Sequence, residues 1–279
     1  MSLRISKIYI PKKGIPMSVV FFASNSEVNL KCLCDLANKY PKLLSIDLVV
    51  TDRGEIGALK YAKRHNIPTI TQDFKKMCGN YVAMRSPILK KQYNRCSIRF
   101  HNLLLKKIKE FERKRKRKFD LAVLSYYRWI HGDLLRYFNK RMINQHPADL
   151  TVLQKGKVIR RKYIGIDPVY LSIKDNKKRT RTSTILVRTG HDAGEILCQG
   201  PWCTYKGPHP VTITSAARHE RIQEKVSDIP ALWYAVEAIA KGFYGISNKR
   251  HKDHTHVLYY KGEKLPYGGV NLSRGRKIV

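Results

Sequence analysis

Predicted strands and helices alternate over the first seventy residues, and this alternation most limits the folds open to the chain. Residues 18–23 are a continuous apolar run typical of a buried strand, and residues 46–51 and 67–70 are two further predicted strands. Between them, residues 27–40 and 56–65 carry apolar side chains at helical spacing. Strands and helices that alternate in this order, with short connections between them, predict an α/β fold with a doubly wound, mainly parallel sheet.

The pattern continues as far as Pro147. The predicted elements are a loop over residues 71–87, a helix over 89–117, a strand over 119–125, a helix over 132–138 and a strand over 141–145. Pro147 ends the last strand, because proline cannot donate a hydrogen bond to a central ladder.

After Pro147 the pattern is less regular. The predicted elements are a hairpin over residues 151–159 turning at Lys155 and Gly156, a short helix from Asp167 or Pro168 to Ile173, strands over 182–188 and 195–202, and a helix over 216–243 broken at Pro230. From residue 247 the chain is basic and rich in turns, which indicates a closing hairpin and tail. A helical and β-hairpin extension therefore follows the sheet.

Positive charge dominates the composition. The chain has 55 Lys and Arg against 21 Asp and Glu, a net charge of +34. Such a field attracts nucleic acids, anionic membranes or phosphorylated small molecules. The cations are spread over the whole length, with one dense run at residues 113–118, and this spread favours a solvated surface over a docking stripe. Nucleic acid stays open as a partner.

The location of the protein is predicted from what its sequence lacks. No apolar run approaches the length of a membrane span, and the first residues have no signal-peptide core, so a cytoplasmic protein without membrane contact is expected. The cysteines show no paired spacing, which indicates free thiols in a reducing compartment. They are Cys32, Cys34, Cys78, Cys96, Cys198 and Cys203.

Two polar side chains stand at the end of the strand over residues 141–145. The two-residue period of a strand places Asn144 and His146 on one face, beside Pro147. In open α/β sheets, binding sites lie at the carboxyl ends of the strands. An amide and an imidazole there can stabilise the oxyanion that forms when a carbonyl is attacked. An ordinary strand-end loop is the alternative interpretation.

A second polar loop lies between the later predicted strands. Residues 189–194 place Asp192 between Gly190 and Gly194. A plain turn would also favour this composition, so the loop alone does not identify a site.

Taken together and in this order, these segments resemble the formyltransferase family, whose members use 10-formyltetrahydrofolate. The phosphoribosylglycinamide formyltransferase branch is the most similar. The resemblance covers roughly residues 18–200, and its supporting segments are residues 49–53, 66–69, 120–130, 144–147, 163–168 and 191–197. It implies a Rossmann-type fold.

The resemblance also implies roles for particular residues. Asn144, His146 and Asp192 would be the catalytic group, with protonated His146 and the Asn144 amide donating to the oxyanion. Asp192 would orient His146, or take the proton of the attacking amine through water. The residues implied in binding the folate are Arg128, Trp129, Ile130, Gly190 and Gly194, in a cleft between residues 126–130 and 189–194.

The segment expected to bind the phosphate of the formyl acceptor departs from the family pattern. The glycine-rich phosphate loop after the first strand is replaced by residues 24–30, which contain no glycine and include Glu27. A close backbone approach to phosphate favours glycine, and a carboxylate opposes it. We therefore expect glycinamide ribonucleotide to be a poor acceptor. The expected acceptor is a small-molecule amine, and any anionic part of it would meet the basic segments at residues 155–162 and 174–181.

Three functions are compatible with the sequence. The leading one is formyl transfer from 10-formyltetrahydrofolate to an amine, and the second is hydrolysis of the same donor by a deformylase. Deformylases of this family carry an additional N-terminal domain, which the residues before Ser18 are too few to form. The third is a non-catalytic RNA-binding protein on the same scaffold.

The domain plan follows from the resemblance. It has a basic lead-in over residues 1–17, a catalytic domain over residues 18–210, and a C-terminal helix with a basic hairpin or tail over residues 211–279 packed on the same domain. The histidines of residues 251–256 are interpreted as part of a solvated basic loop, so no metal site is expected.

Overall fold

The computed structural model of the protein describes residues 2–25, 27–81, 84, 86–154 and 159–274. The chain packs as two compact units. The first unit is Gly14–Met142, and the second combines Met1–Lys13 with Ile143–Val279. The domain boundaries expected at residues 17 and 210 stay a prediction.

The strands and helices are numbered in chain order. The strands are β1 (Ile5–Lys7), β2 (Met17–Ala23), β3 (Leu44–Thr51), β4 (Thr69–Thr71), β5 (Leu121–Ser125), β6 (Met142–His146), β7 (Leu153–Gln154), β8 (Arg160–Arg161), β9 (Arg179–Thr180), β10 (Ser183–Leu186), β11 (Ile196–Gln199), β12 (Cys203–Thr204), β13 (Tyr244–Arg250), β14 (His256–Tyr260), β15 (Glu263–Lys264) and β16 (Val270–Asn271). The helices are α1 (Val28–Lys39), α2 (Gly57–Arg64), α3 (Phe74–Cys78), α4 (Pro87–Lys114), α5 (Gly132–Tyr137), α6 (Pro168–Lys174), α7 (Ile213–Gln223) and α8 (Ile229–Ala240).

The first unit is built on four parallel strands of the eight-stranded main sheet. Their order is β5-β2-β3-β4, and β2 is parallel to both of its neighbours. All seven residues of β2 are buried, which is typical of a parallel strand covered on both faces. This burial explains why the strand is a continuous apolar run in the sequence.

Helix α4 is the longest element of the first unit. Its N-terminus is capped by the Ser86 hydroxyl, which accepts from the Leu89 backbone N–H at 3.2 Å. Phe100, Leu104 and Ile108 are buried along its inner face. The helix ends three residues before the predicted boundary, because Lys116 has a left-handed conformation with φ +54°.

The second unit contributes the other four strands of the main sheet. Their order is β16-β11-β10-β6, with β10 antiparallel to both of its neighbours and β16 parallel to β11. The register pairs Ser183 with His146 and Ile185 with Asn144. The predicted doubly wound, mainly parallel α/β fold is confirmed, and an antiparallel strand, β10, lies beside the strand of the Asn-x-His-Pro motif.

The C-terminal extension consists of helices and a small sheet. Helices α7 and α8 are joined by a π-helical turn at Glu224–Asp228, and Pro230 follows this turn as the second residue of α8. Strands β1, β13, β14 and β15 form an antiparallel sheet. The pairing of β1 with β13 joins the two ends of the sequence, so the lead-in is part of this sheet.

Besides the end of α4, three local predictions differ from the structure or fall outside it. The stretch expected to be a loop over residues 71–87 contains the short helix α3, capped by the Asp73 carboxylate. Strand β6 runs one residue further than predicted, so that His146 is its last residue. Strands β7 and β8 form the predicted hairpin, but the turn at Lys155 and Gly156 lies outside the described residues.

None of the helices formed by the described residues is both long and apolar enough to cross a membrane.

Candidate active site

The Asn-x-His-Pro motif lies at the carboxyl end of β6 in the second unit. Alternation along the strand places Asn144 and His146 on one face, opposite Ile185 and Ser183 of β10. Asn144 is half-buried, whereas His146 is only 4% exposed. After Pro147 the chain turns back at once, and the Ala148 N–H donates to the His146 carbonyl at 2.8 Å. The two side chains are therefore held at the start of a tight turn.

His146 lies between two oxygen acceptors. Its Nε2 is 2.6 Å from the carbonyl oxygen of Tyr163, and its Nδ1 is 3.4 Å from Oδ2 of Asp192. A carbonyl oxygen only accepts, so Nε2 carries the hydrogen and the neutral ring presents the Nδ1 lone pair to the carboxylate. If Nδ1 were protonated as well, each of the two ring N–H groups would face an oxygen acceptor.

The surroundings of His146 act on its pKa in opposite directions. Burial is the largest influence and lowers the pKa, since it penalises the charged ring. The Asp192 carboxylate and the Tyr163 carbonyl raise it, and the cationic Arg161 lowers it. The net shift is downward, so the neutral imidazole is favoured at neutral pH. The role of a protonated His146 as a donor to the oxyanion stays a prediction.

The Asp192 loop has a defined conformation. The Asp192 carboxylate accepts from the Gly165 N–H at 3.0 Å, and Asp192 itself has φ +47°. Gly190 has φ +104°, which favours glycine. A Cβ atom on Gly194 would stand 1.5 Å from the Leu186 carbonyl oxygen, so only glycine fits there. These two glycines act by shaping the backbone that presents Asp192.

A buried arginine supports the same loop. Arg161, on β8 and 6% exposed, donates through Nη1 to the Asp192 carbonyl and through Nε to the Tyr267 hydroxyl at 3.0 Å. The Tyr267 hydroxyl donates to the Asp253 carboxylate, which lies 3.7 Å from Nη2 of Arg161. Burial raises the pKa of Asp253, but hydrogen bonds from Thr255 and Tyr267 and the charge of Arg161 outweigh it, so that the net pKa shift is downward. Burial raises the pKa of Tyr267 to about 12; the Asp253 carboxylate adds to this rise and the Arg161 charge opposes it. An ionised carboxylate thus anchors the arginine.

Several of these residues were not predicted as site residues. Tyr163 and Gly165 lie in a segment that carries the family resemblance, yet they act through backbone groups, which a sequence does not display. Arg161 stands in a basic hairpin within a chain of 55 cations, so nothing in the pattern distinguishes it from its neighbours.

The other implied folate residues lie in the first unit. Nε of Arg128 donates to Asp52 at 2.6 Å, and the same carboxylate, fully buried, receives two bonds of 3.1 Å from Arg53. Ile130 is buried, whereas Trp129 is 44% exposed. Arg128 and Ile130 therefore have structural contacts of their own, and Trp129 offers a ring surface to a ligand.

The altered phosphate loop is also in the first unit. Glu27 pairs with Arg64 at 3.1 Å, and the Ser24 hydroxyl accepts from the Tyr127 N–H at 3.0 Å. Ser26, in the middle of this loop, lies outside the described residues. The described part thus presents a paired carboxylate where the family pattern has glycine.

The basic segments expected to meet an anionic acceptor are partly neutralised. Lys162 pairs with Asp175 at 2.6 Å, and Arg181 binds Asp149 through Nε and Nη2 at 3.1 and 2.9 Å. Residues 155–158 of the hairpin lie outside the described residues.

The remaining reactive side chains do not form a second centre. All six cysteines are free, and burial raises the pKa values of Cys32 and Cys198 to about 12, so that their thiols stay protonated. Within the described ranges, no three His, Cys, Asp or Glu side chains are grouped so that they could hold a metal ion.

Comparison with known proteins decides the family. A family model described as formyl transferase matches residues 17–220, which is well over half of the chain. The chain belongs to the formyl transferase family. The family recognition made from the sequence is confirmed, and formyl-group chemistry with formyltetrahydrofolate as donor is assigned at the level of the family.

Solved structures share the family's fold. The chain is similar to a phosphoribosylglycinamide formyltransferase from Coxiella burnetii, with 19% identity over 92% of this chain and 99% of that one and a TM-score of 0.63. A glycinamide ribonucleotide transformylase from Symbiobacterium toebii gives 18% identity over 88% and 94%, with a TM-score of 0.60. A formyltetrahydrofolate deformylase from Pseudomonas putida gives 16% identity over 89% and 71%, with a TM-score of 0.56. No curated protein matches the sequence.

Proposed function

We propose that this member of the family transfers a formyl group from 10-formyltetrahydrofolate to the amine of a small molecule. The observation that carries the proposal is the position of His146, at the carboxyl end of β6 between the Asp192 carboxylate and the Tyr163 carbonyl and on the same face as Asn144. A buried imidazole with an acceptor on each side can receive a proton and hold it.

The proposed reaction begins when the neutral amine attacks the formyl carbon. The carbonyl oxygen becomes an oxyanion, to which the Asn144 amide donates, and such a donor is worth roughly 2.7–4 kcal/mol in enzymes. The attacking nitrogen loses its proton to Asp192, whose side chain is 15% exposed, and from there the proton reaches Nδ1 of His146. The carbon–nitrogen bond to the folate then breaks, and the departing nitrogen takes the proton back.

The contacts of His146 suit this proton transfer. The resting ring is neutral because burial lowers its pKa, so Nδ1 can accept a proton. Once charged, the ring donates from Nδ1 to Asp192 and from Nε2 to Tyr163. The buried imidazolium is then paired and hydrogen-bonded, which offsets part of its desolvation cost.

The first unit offers suitable groups for a folate. Tyr127 and Trp129 expose 69% and 44% of their surface, so their rings can pack against a heteroaromatic ring. The nearby Tyr126 hydroxyl is buried and has no hydrogen-bond partner among the described residues. We propose that Tyr126, Trp129 and Ile130 contribute to donor binding and that Arg128, through Asp52, holds this segment in place.

Glycinamide ribonucleotide is not the acceptor we propose. The similar solved structures are named for enzymes of that substrate, but here Glu27 stands in the loop that would receive its phosphate. The Glu27–Arg64 pair is exposed, so the loop offers a neutralised ion pair in place of the glycine backbone N–H groups that bind a phosphate. A small amine without a phosphate at that position fits the loop better.

Hydrolysis of the donor is the second candidate. It is supported by the similarity to the Pseudomonas putida deformylase, and the same three side chains could activate water in place of an amine. The two reactions differ in whether turnover needs an amine.

The test measures tetrahydrofolate release from 10-formyltetrahydrofolate with and without a panel of amines, including amino sugars, amino nucleotides and glycinamide ribonucleotide. We expect amine-dependent release that His146→Ala and Asp192→Asn each reduce by at least about 10²-fold. Asp35→Asn, an exposed carboxylate on α1 paired with Lys31, is the matched control and should keep full activity.

Each other outcome identifies a different error. Release that is equally fast without an amine would make the protein a deformylase. Efficient turnover of glycinamide ribonucleotide would show that Glu27 does not exclude phosphate. If no folate binds saturably at near-millimolar concentration, both the formyltransferase and the deformylase proposals are wrong.

A further inference from the structure

A stripe of cations runs along the exposed side of helix α4. Arg95, Arg99, Lys106, Lys109 and Arg113 follow one another at intervals of three, four or seven residues, which places them on one face of the helix. All five are exposed. From the first to the last the stripe extends about 27 Å, at 1.5 Å per residue.

The stripe borders a groove within the first unit. Four of its cations, Arg95, Arg99, Lys106 and Lys109, line this groove. Its described lining also includes Ile98, which is 41% exposed, and one carboxylate, Asp133, which already pairs with Arg136. Among the described lining residues there are therefore four cations and no unpaired anion.

The stripe has an electrostatic cost in the protein alone. Arg95 and Arg99 are four residues apart, and Lys106 and Lys109 are three apart, so they repel each other along the helix. In α4, all of whose residues are described, the single exposed acid is Glu110, and it pairs with Lys114 at 3.1 Å. Glu112 is buried and bonded to the Phe119 N–H and the Tyr137 hydroxyl. A surface helix usually alternates its charges, and this one does not.

We infer that the α4 stripe is a docking surface for a nucleic-acid duplex, bound through its phosphates. Over the 21 Å from Arg95 to Lys109, estimated at about 1.5 Å per residue, one strand of a duplex carries about six phosphates at roughly 3.4 Å of axial rise each. Four cations in a line match that charge density. Phosphates would also remove the repulsion along the helix.

Other anionic partners fit the groove less well. A helix that binds a membrane surface needs an exposed apolar face, whereas the apolar face of α4, including Phe100, Leu104 and Ile108, is buried in the first unit. Sites for single strands use aromatic rings on which bases stack, and the described lining of this groove has none. A duplex bound by its backbone needs neither feature.

The test compares two variants that lose the same charge. The stripe variant carries Arg95→Gln, Arg99→Gln, Lys106→Gln and Lys109→Gln. The control variant carries Lys42→Gln, Lys60→Gln, Lys63→Gln and Lys76→Gln, four exposed lysines of the first unit outside α4. Binding of the full chain is measured by fluorescence anisotropy with a 20-base-pair RNA duplex, the same sequence as DNA duplex, one single strand, and phosphatidylserine vesicles.

We expect the wild-type protein and the control variant to bind duplexes with similar affinity, and the stripe variant to bind at least about tenfold more weakly at 0.1 M salt. The slope of log affinity against log salt should fall by about 3–4 in the stripe variant, near 0.9 for each phosphate contact removed. Its melting temperature should be unchanged or higher, because repulsion along α4 is relieved. Arg95→Lys with Arg99→Lys should retain binding.

The inference is wrong if both four-residue variants lose affinity equally, since the charge of the whole chain would then be responsible. It is also wrong if the single strand or the vesicles are bound more tightly than either duplex. Neither result bears on formyl transfer, which is measured separately.

Discussion

At the scale of single residues, Arg161 connects the Asp192 loop to the C-terminal part of the second unit. It donates to the Asp192 carbonyl and to the Tyr267 hydroxyl, and Tyr267 donates to Asp253. Asp253 and Tyr267 lie beyond residue 220, where the match to the family model ends. The position of Asp192 beside His146 therefore depends on residues that the family pattern does not contain.

We expect Tyr267→Phe to lower kcat for formyl transfer by about fivefold with little change in KM, since it removes a hydrogen bond worth roughly 1 kcal/mol and leaves Arg161 less well held. Arg161→Gln should lower kcat further and move the acid limb of the rate profile to higher pH. The reason is that the Arg161 charge lowers the pKa of His146, which must be neutral at the start. Steady-state kinetics between pH 5 and pH 9 would measure both effects.

Arg161→Lys is the matched control, because it keeps the charge and should leave the acid limb in place. An Arg161→Gln variant with the wild-type pH profile would mean that Arg161 does not influence the protonation of His146.

The same residues show what a sequence can and cannot predict about a site. Asn144 and His146 were predictable because strand alternation and Pro147 determine their face and position. Asp192 needed the family resemblance, since nothing local relates residue 192 to residue 146. The contribution of the Tyr163 carbonyl was not predictable, because every residue has a carbonyl and only the folded chain decides which one approaches His146.

At the scale of elements, the inner face of α4 carries a buried titratable group. His101 is fully buried, with its ring near those of Phe100 and Phe74. Burial, and after it the neighbouring His131, lowers the pKa of His101 to about 3. The unfolded chain therefore binds a proton at higher pH than the folded chain does.

This difference makes stability fall as the solution is acidified. The stability that the neutral, buried His101 provides is fully present above the ordinary histidine pKa of about 6.5 and is lost as the pH falls toward about 3. The free energy of unfolding should already be lower by roughly 2 kcal/mol at pH 5. We expect His101→Leu to unfold less steeply with acid over this window than the wild-type protein. Urea titrations at pH 7 and pH 5 would measure it.

Leu104→Ala, which removes a buried side chain without a titratable group from the same face of α4, should lose stability between pH 7 and pH 5 as the wild-type protein does. Equal losses of stability in the wild-type protein and His101→Leu between pH 7 and pH 5 would contradict the prediction.

Element boundaries were less predictable than the elements. The β2–α1–β3–α2–β4 series was predicted because each element has its own periodicity. The end of α4 was not, because the basic residues after Lys114 are good helix formers and the left-handed Lys116 ends the helix. The pairing of β1 with β13 could not be predicted either, since it joins Ile5 to Ser247 and no local pattern spans that distance.

At the scale of the whole molecule, the net charge of +34 acts on every part of the chain. Like charges repel more in the compact state than in the expanded unfolded one, so the charge destabilises folding. Salt screens this repulsion, and the Debye length falls from about 30 Å at 0.01 M to about 10 Å at 0.1 M.

We therefore expect the melting temperature to rise as sodium chloride is increased from about 0.01 M to 0.1 M, by a few degrees. A variant with Lys42, Lys60, Lys63 and Lys76 each changed to Glu should gain less from the same salt. Differential scanning fluorimetry of both proteins measures the effect, and an equal gain in the two would show that self-repulsion is not its cause.

The contact between Gly194 and Leu186 limits how this protein can change its substrate over evolutionary time. A side chain at position 194 would push against β10, whose register with β6 holds the residues opposite Asn144 and His146. Asp192, two residues before Gly194, lies in the same loop, and its carboxylate accepts from the Gly165 N–H. Any change at position 194 would therefore displace the loop that carries Asp192, so sequence variation in this loop has to leave Gly194 in place.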